Sequence, residues 1–297
     1  MKAIIIAENS QCLLSPLTDR TPHALLPAAG KTILMHALET LHRSAILDVT
    51  VVSPLFCAEL ESEIDTGPLI GMNVCFTPMI PEGEKIPDHT LMIGLKDIVD
   101  TDWDDVLDGL GDMKVHALMP IRMTVCAESV ALVLPPGFRE RIPIDWSDVH
   151  LVDAIHWPIG PKRVMSTSTL IDYHQSNFRL LRGEFKYVRP AGREYSSGHR
   201  ASPKARVNQK SIQSDHGYFG AYCRIDKTAR LSGDVIIGDR VVVGKGANVR
   251  DSIIFDRTYI GSNTDCSDAI IDGNLLIRVD TGVSLLLDDP VLFGALT

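Results

Sequence analysis

Short apolar runs separated by polar turns open the chain. Ala3–Ala7 is a continuous apolar run followed by the polar stretch Glu8–Gln11. Such a run predicts a strand buried on both faces of a parallel sheet. A proline-rich loop with Pro16, Pro22 and Pro27 comes next. From Ile33 the period changes, and Leu34, Ala37, Leu38, Leu41 and Ala45 share one helical face. Asp48–Ser53 reads as a second buried strand. Strand, helix and strand at this spacing predict a βαβ unit and hence a doubly wound α/β domain. Asn73–Thr77, Thr90–Ile93, His116–Ile121 and Ser129–Leu134 are further strand candidates, and Leu170–Leu181 is a helix candidate.

The pattern changes again near the C-terminus. Apolar anchors recur every six residues at Ile225, Leu231, Ile237, Val243, Val249 and Phe255, then at Ile260 and Cys266. Turn-prone residues often follow them, among them Asp226, Gly238, Gly244 and Gly261. Neither a helix nor plain alternation has period six. A coil of short parallel strands does, with anchors stacked inward and small residues at the corners. The five-residue step at Ile260 marks an irregular coil, and Ile270–Gly282 reads as a strand closing the stack. This array resembles the left-handed β-helix of hexapeptide-repeat proteins. Acyl transfer by such a domain is disfavoured here, because the last histidine, His216, precedes the repeats.

Composition narrows the partners. The 297 residues carry 29 basic and 38 acidic side chains, a net charge of −9 with His neutral. A chain this acidic is a poor nucleic-acid binder, although a local basic patch is compatible with it. Residues 189–215 are such a patch, with a net charge of +4. They read as an exposed basic linker, with a phosphate- or partner-binding loop as the second reading. Residues 97–112 hold seven Asp and read as a solvated acidic segment, or else as a metal-proximal one. Six cysteines without metal or redox spacing read as reduced, buried thiols. No apolar run reaches the roughly 20 residues of a membrane span. The expectation is a soluble, cytoplasmic protein with no membrane insertion.

The segment KAIIIAENSQCLLSPLTDRTPHALLPAAGKTI resembles the opening of the sugar-1-phosphate nucleotidyltransferases, or nucleotide-sugar pyrophosphorylases. Their pattern is a strand, then G-G-x-G-T-R-L-x-P-L-T-x-x-x-P-K-x-L-x-P, then a helix. Leu14, Pro16, Leu17, Thr18, Pro22, Leu25, Pro27, Gly30, Lys31 and Ile33 stand at matching positions. The resemblance implies a Rossmann-like nucleotidyltransferase domain over 1–188, a basic linker over 189–216, and a β-helix domain over 217–297. Such domains transfer a nucleotidyl group from a nucleoside triphosphate to a sugar-1-phosphate with release of pyrophosphate. Their glycines let backbone N–H groups approach the phosphates, their cations offset the developing charge, and Mg²⁺ clamps the phosphate oxygens.

Here the working positions differ. Glu8, Asn9 and Gln11 replace the glycines, Leu13 replaces the Arg, and His23 replaces the Lys. A carboxylate at Glu8 repels phosphate by about 4 kcal/mol per like-charge pair at ~4 Å and a surface-like dielectric. In the Leu91–Asp97 stretch, Asp97 is the candidate metal carboxylate on a one-residue shift, Lys96 takes that place without the shift, and Asp100 or Asp153 are substitutes in space. His156-Trp157-Pro158-Ile159-Gly160 puts a Pro where the family has a second Asp. The phosphate-loop candidates are therefore Glu8, Asn9, Gln11, Leu13, His23 and Lys31, and no catalytic residue is assigned. The expectation is a degenerate relative that binds a nucleotide, a nucleotide sugar or a partner enzyme, and that forms a homo-oligomer through the β-helix. The alternative is an active transferase that uses Mg²⁺ and substitute cations such as Lys31 or Arg20.

Overall fold

The structure is a computed structural model. It describes residues 1–8, 13–64, 67, 69–81, 88–109, 120–125, 128–138, 142, 144–146, 154–289 and 291–296. Asn9, Gln11, Cys12, Cys126, Asp153 and the 116–119 part of one strand candidate lie outside the described residues. The chain divides into two units. The first comprises Met1–Leu26, Thr32–Thr169 and Phe185–Val188, and the second Pro27–Lys31, Leu170–Glu184 and Arg189–Thr297.

The first unit is mixed α/β around one seven-stranded, parallel-rich sheet. Its core strands are β1 (Lys2–Ile6), β2 (Asp48–Val52), β3 (Asn73–Thr77) and β4 (Thr90–Gly94). β1 pairs in parallel with β2 on one side and β4 on the other, and β2 pairs in parallel with β3. β1 lies inside the sheet, between β4 and β2, so Ala3–Ile6 are all buried, which is why that stretch is apolar without alternation. β5 (Asp97–Val99) forms a separate ribbon with β9 (Val164–Ser166), while β6 (Ile121–Val125), β7 (Glu128–Leu134) and β8 (Ile155–Pro158) extend the main sheet. Helix α1 (Ile33–Arg43) buries Leu34, Ala37, Leu38 and Leu41, as its period requires. Its N-cap is Thr32, whose Oγ1 accepts from Met35 N at 3.1 Å.

The acidic segment is only partly a solvated face. Asp100 is buried, and Asp102 Oδ1 accepts from Ser44 Oγ at 3.0 Å and from Asp104 N at 3.1 Å. Among the described cysteines Cys223 and Cys266 are buried as expected, but Cys57 is only partly buried and Cys75 on the edge strand β3 is exposed.

The second unit is strand-rich. Two columns of parallel strands run through it. One stacks β12 (Ile212–Phe219), β14 (Arg230–Ile237) and β16 (Asn248–Ile254); the other stacks β13 (Arg224–Ile225), β15 (Val242–Val243) and β17 (Thr258–Ile260). Partners lie one coil of about three hexads apart, as in Leu231↔Val249 and Ile225↔Val243. Seven of the eight anchors enter one buried cluster: Ile225, Leu231, Ile237, Val243, Val249, Ile260 and Cys266. Phe255 does not. Ile254 takes its place in the cluster and pairs with Ile237. The short step therefore falls between Val249 and Ile254, not after Phe255. Its cause is a bulge in β14, where one extra residue between Ser232 and Val235 faces the shorter stretch Arg250–Ser252. Phe255 is instead edge-on to Tyr173, with ring centroids 6.5 Å apart. Tyr173 belongs to helix α2 (Leu170–Leu181), which packs within this second unit.

The 189–216 segment carries an antiparallel ribbon of β10 (Arg193–Ser196) and β11 (His199–Ala201), and β11 pairs in parallel with β12. The parallel stack ends on antiparallel strands. β18 (Asp265–Ser267) pairs in parallel with β16, whereas β19 (Ala269–Asp272) pairs antiparallel with β20 (Leu275–Arg278), which pairs antiparallel with β21 (Val283–Leu286). Among the described residues no helix is long and apolar enough to cross a membrane.

Candidate functional site

The order of the parallel strands marks a place for ligand in the first unit. β1 has β2 on one side and β4 on the other, so the chain leaves the sheet in opposite directions from β1 and β4. Crevices at the carboxyl ends of such strands are the usual ligand sites of open α/β sheets. Here those ends are Ile6–Glu8 and Gly94. Glu8 is half-buried, and its Oε1 accepts from Ser53 Oγ, just beyond β2, at 2.6 Å. Burial raises the Glu8 pKa, Ser53 opposes that, and the Asp145 carboxylate raises it further. Trp146 N donates to Glu8 O at 2.9 Å, and the Trp146 indole lies directly against Gly94. The switch point is thus lined by a carboxylate and an indole instead of open glycine backbone.

A second knot joins the proline-rich loop to the segment Ser166–Thr169. Leu13 N donates to Ser168 O at 2.7 Å, and the Leu13 side chain is exposed. His23 Nε2 lies 2.9 Å from Thr167 Oγ1, whose hydrogen goes to Lys96 O, also at 2.9 Å. His23 Nε2 therefore carries the ring proton and Nδ1 is bare. Nδ1 is enclosed without a hydrogen-bond partner among the described residues. Burial drives the His23 pKa from 6.5 to about 4, only weakly opposed by its bond to Thr167. His23 is neutral at pH 7, so it neither supplies a cation in place of Lys nor stands as a free surface histidine. Asp97 is half-buried on β5, where it pairs in register with Ser166. Leu13, His23 and Asp97 thus converge on one Ser-Thr-Ser-Thr run that sequence reasoning did not single out. Its only signal was four consecutive hydroxyl residues. Lys31 belongs to the second unit, and its Nζ donates to Arg189 O at 3.1 Å.

No protein-family model matches the chain. A glucose-1-phosphate thymidylyltransferase of Streptomyces griseus is 30% identical over 78 residues, which are 26% of this chain and 22% of that protein. An N-acetylmuramate alpha-1-phosphate uridylyltransferase of Neisseria meningitidis serogroup B is also 30% identical over 78 residues, 34% of its length. The chain is a distant, partial homologue of the sugar-1-phosphate nucleotidyltransferases. The alignments span well under two thirds of either relative. Among solved structures, a Bacillus anthracis chain named as a glucose-1-phosphate thymidylyltransferase, in complex with sucrose, aligns with a TM-score of 0.47 at 14% identity. That alignment covers 60% of this chain and 94% of the other.

Sugar-1-phosphate nucleotidyltransferase chemistry calls for a divalent cation. Mg²⁺ accepts one or two carboxylates together with waters and substrate phosphates. Asp97 could supply one carboxylate. Asp100 could not, because both its oxygens accept backbone N–H bonds from Lys186, Tyr187 and Val188. Among the described residues no three metal-ligating side chains cluster.

His216 does not precede the coils but sits on β12, paired in register with Asp234 on β14. Its Nδ1 is 3.1 Å from Asp234 Oδ1, and Arg182 Nε donates to Asp234 Oδ2 at 2.8 Å. The first paired strand begins before the first sequence anchor: Phe219 on β12 lies six residues before Ile225, is buried in the anchor cluster and pairs with Ile237, while a register shift between Ser214 and His216 takes the start of β12 out of phase.

His23 makes the fold sensitive to acid. A histidine held neutral contributes its full stability above its unfolded pKa, and that contribution is lost as pH falls through 6.5 toward 4. The lowering corresponds to about 3 kcal/mol at most. Urea melts at pH 7 and pH 4 should differ less in His23→Gln than in wild type. Identical pH profiles for the two proteins would contradict the neutral, enclosed His23.

Proposed function

We propose that this chain is a pyrophosphorylase-like protein of nucleotide-sugar and polysaccharide-precursor metabolism, catalytically degenerate, acting by binding a nucleotide, a nucleotide sugar or a partner enzyme. The observation that carries the reading is the pair of substitutions at Glu8 and His23. A carboxylate anchored on Ser53 stands at the sheet's switch point, and a neutral, hydrogen-bonded imidazole stands where the related enzymes place a lysine. Neither change disturbs the scaffold, since both side chains have partners within it. Transition-state charge is what they fail to meet, and loss of one such contact removes roughly 10²–10³ in rate. Leu13 in place of an arginine adds to the deficit.

The test for binding is ligand-dependent stabilisation. Saturating nucleotide sugar at 100 times its Kd should raise the unfolding free energy by about 2.7 kcal/mol. A panel of nucleoside diphosphates, triphosphates and their sugar conjugates that leaves the melting temperature unmoved would remove the small-ligand half of the proposal and leave the partner enzyme. The alternative is an active transferase, with Mg²⁺ on Asp97 and charge supplied by Lys31 or Arg20. Turnover separates the two readings.

We further propose that the parallel coils form a left-handed β-helix and that the chain self-associates through this unit. β21 ends its sheet, and Val283, Leu285 and Leu286 are exposed on it. An exposed apolar edge strand is a pairing surface. Light scattering should find an oligomer that Leu286→Lys dissociates, whereas a wild-type monomer at 100 μM would contradict the idea.

A further inference from the structure

One face of the coiled unit gathers cations in a way the proposed function does not use. Lys204, Tyr222, Arg240 and Arg257 follow one another one coil apart, and all four have left-handed backbone, with φ of 65°, 60°, 57° and 53°. Side chains other than Gly, Asn or Asp adopt that region only against a steric cost. Here the cost recurs at four successive corners, and three of the four present a cation. Beside them, Arg206 and Arg224 sit directly opposite each other in a parallel bridge, a like-charge pairing that disfavours the fold. The two columns line adjoining grooves of about 290 and 420 Å³ that share Tyr222 and Arg224.

None of the four arginines is in an ion pair among the described residues. Two neighbouring carboxylates accept from the backbone, and Asp256 also feels the Arg257 charge. Asp239 Oδ1 accepts from Ala221 N and Asp256 Oδ1 from Asp239 N, both at 2.7 Å. Lys204 Nζ donates to the Tyr222 hydroxyl at 2.8 Å and lies 4.9 Å from its ring centroid, which holds the ammonium in the groove. All this stands in a chain of net charge −9.

Successive coils rise about 4.8 Å, so four corners span about 15 Å. That length suits a compact anion with several charges a few ångströms apart. Guanidinium forks match phosphate oxygens two at a time. We propose that this arginine-lined face is a binding site for a short oligophosphate, either inorganic or the phosphate tail of a nucleotide. It lies in the second unit and does not rest on the proposed function of the first.

Calorimetric titration of inorganic tripolyphosphate into the full chain at 50 mM salt, without divalent cations, tests the site. The expected result is saturable binding that weakens at least tenfold in Arg224→Gln/Arg240→Gln and weakens as salt is raised. Lys227→Gln/Arg230→Gln, which removes the same charge elsewhere on this unit, should bind within twofold of wild type. Melting curves of both variants confirm that they are folded. A parallel titration with a nucleoside triphosphate distinguishes the sources. Equal affinity assigns recognition to the phosphates alone, and tighter binding that still falls in Arg224→Gln/Arg240→Gln adds the nucleoside. No binding by wild type at millimolar tripolyphosphate would overturn the proposal, as would equal loss in the two double variants.

Discussion

Asp100→Ala should destabilise the protein by about 4 kcal/mol, from a site that touches no ligand. The Asp100 carboxylate is buried and accepts three backbone N–H groups, from Lys186 at 2.8 Å, Tyr187 at 2.6 Å and Val188 at 2.8 Å. Its own N–H donates to Arg163 O at 2.6 Å. One side chain therefore ties the return segment Phe185–Val188 into the first unit. Hydrogen bonds to a charged acceptor contribute about 1.5–3 kcal/mol each, and donors left buried without a partner cost a comparable amount. Alanine strands all three donors, and partial relaxation keeps the total below the simple sum. Asp100→Asn retains Oδ1, which serves Tyr187 and Val188, but turns an amide toward Lys186 N–H. It should lose about half as much. Urea denaturation with unchanged m-values is the check. An alanine variant within 1 kcal/mol of wild type would mean that water satisfies these amides.

Gly94→Ala should cost about 3 kcal/mol, through a single contact. A Cβ at Gly94 would lie 2.2 Å from the Trp146 ring. Gly94 ends a central strand, where the backbone cannot retreat. Trp146 is held in turn by its Nε1–H to Ser129 O at 3.0 Å and by its packing against Ile4, Ile6, Met92 and Leu132. Overpacking of this kind costs about 1–3 kcal/mol, and loss of a buried Trp about 3–5. Trp146→Ala alone should therefore be at least as damaging. Together the two changes should cost less than their sum by 1 kcal/mol or more, because the alanine methyl then has room. Strict additivity of the two would contradict the contact as described.

These residues show which parts of the molecule can be read from its sequence. Ala3–Ala7 was legible as an unbroken apolar run, and the helix from Ile33 was legible because it obeys a local period. The hexad anchors were legible for the same reason, and the one misplaced anchor, Phe255, failed where a bulge in a neighbouring strand altered the phase. No local pattern records a partner one coil away. The candidate site was harder. The loop resemblance led to Glu8, Leu13 and His23, yet what those residues do depends on Ser53, Trp146 and Thr167, far along the chain. Asp100 and the neutral state of His23 depend in the same way on long-range hydrogen bonds and burial. The cations of the arginine face were visible one by one, but only the coil register brings them together.

Pyrophosphate release from a panel of nucleoside triphosphates and sugar-1-phosphates with Mg²⁺ or Mn²⁺ separates a degenerate binder from an active transferase most directly. The assay should detect about 10⁻⁴ of a typical turnover of roughly 10 s⁻¹. Folded protein should give no metal-dependent release above that floor, and should show ligand-dependent stabilisation by at least one nucleotide or nucleotide sugar or capture by a partner enzyme. Robust release, abolished by Asp97→Ala, would contradict degeneracy and establish an active transferase with an atypical phosphate loop.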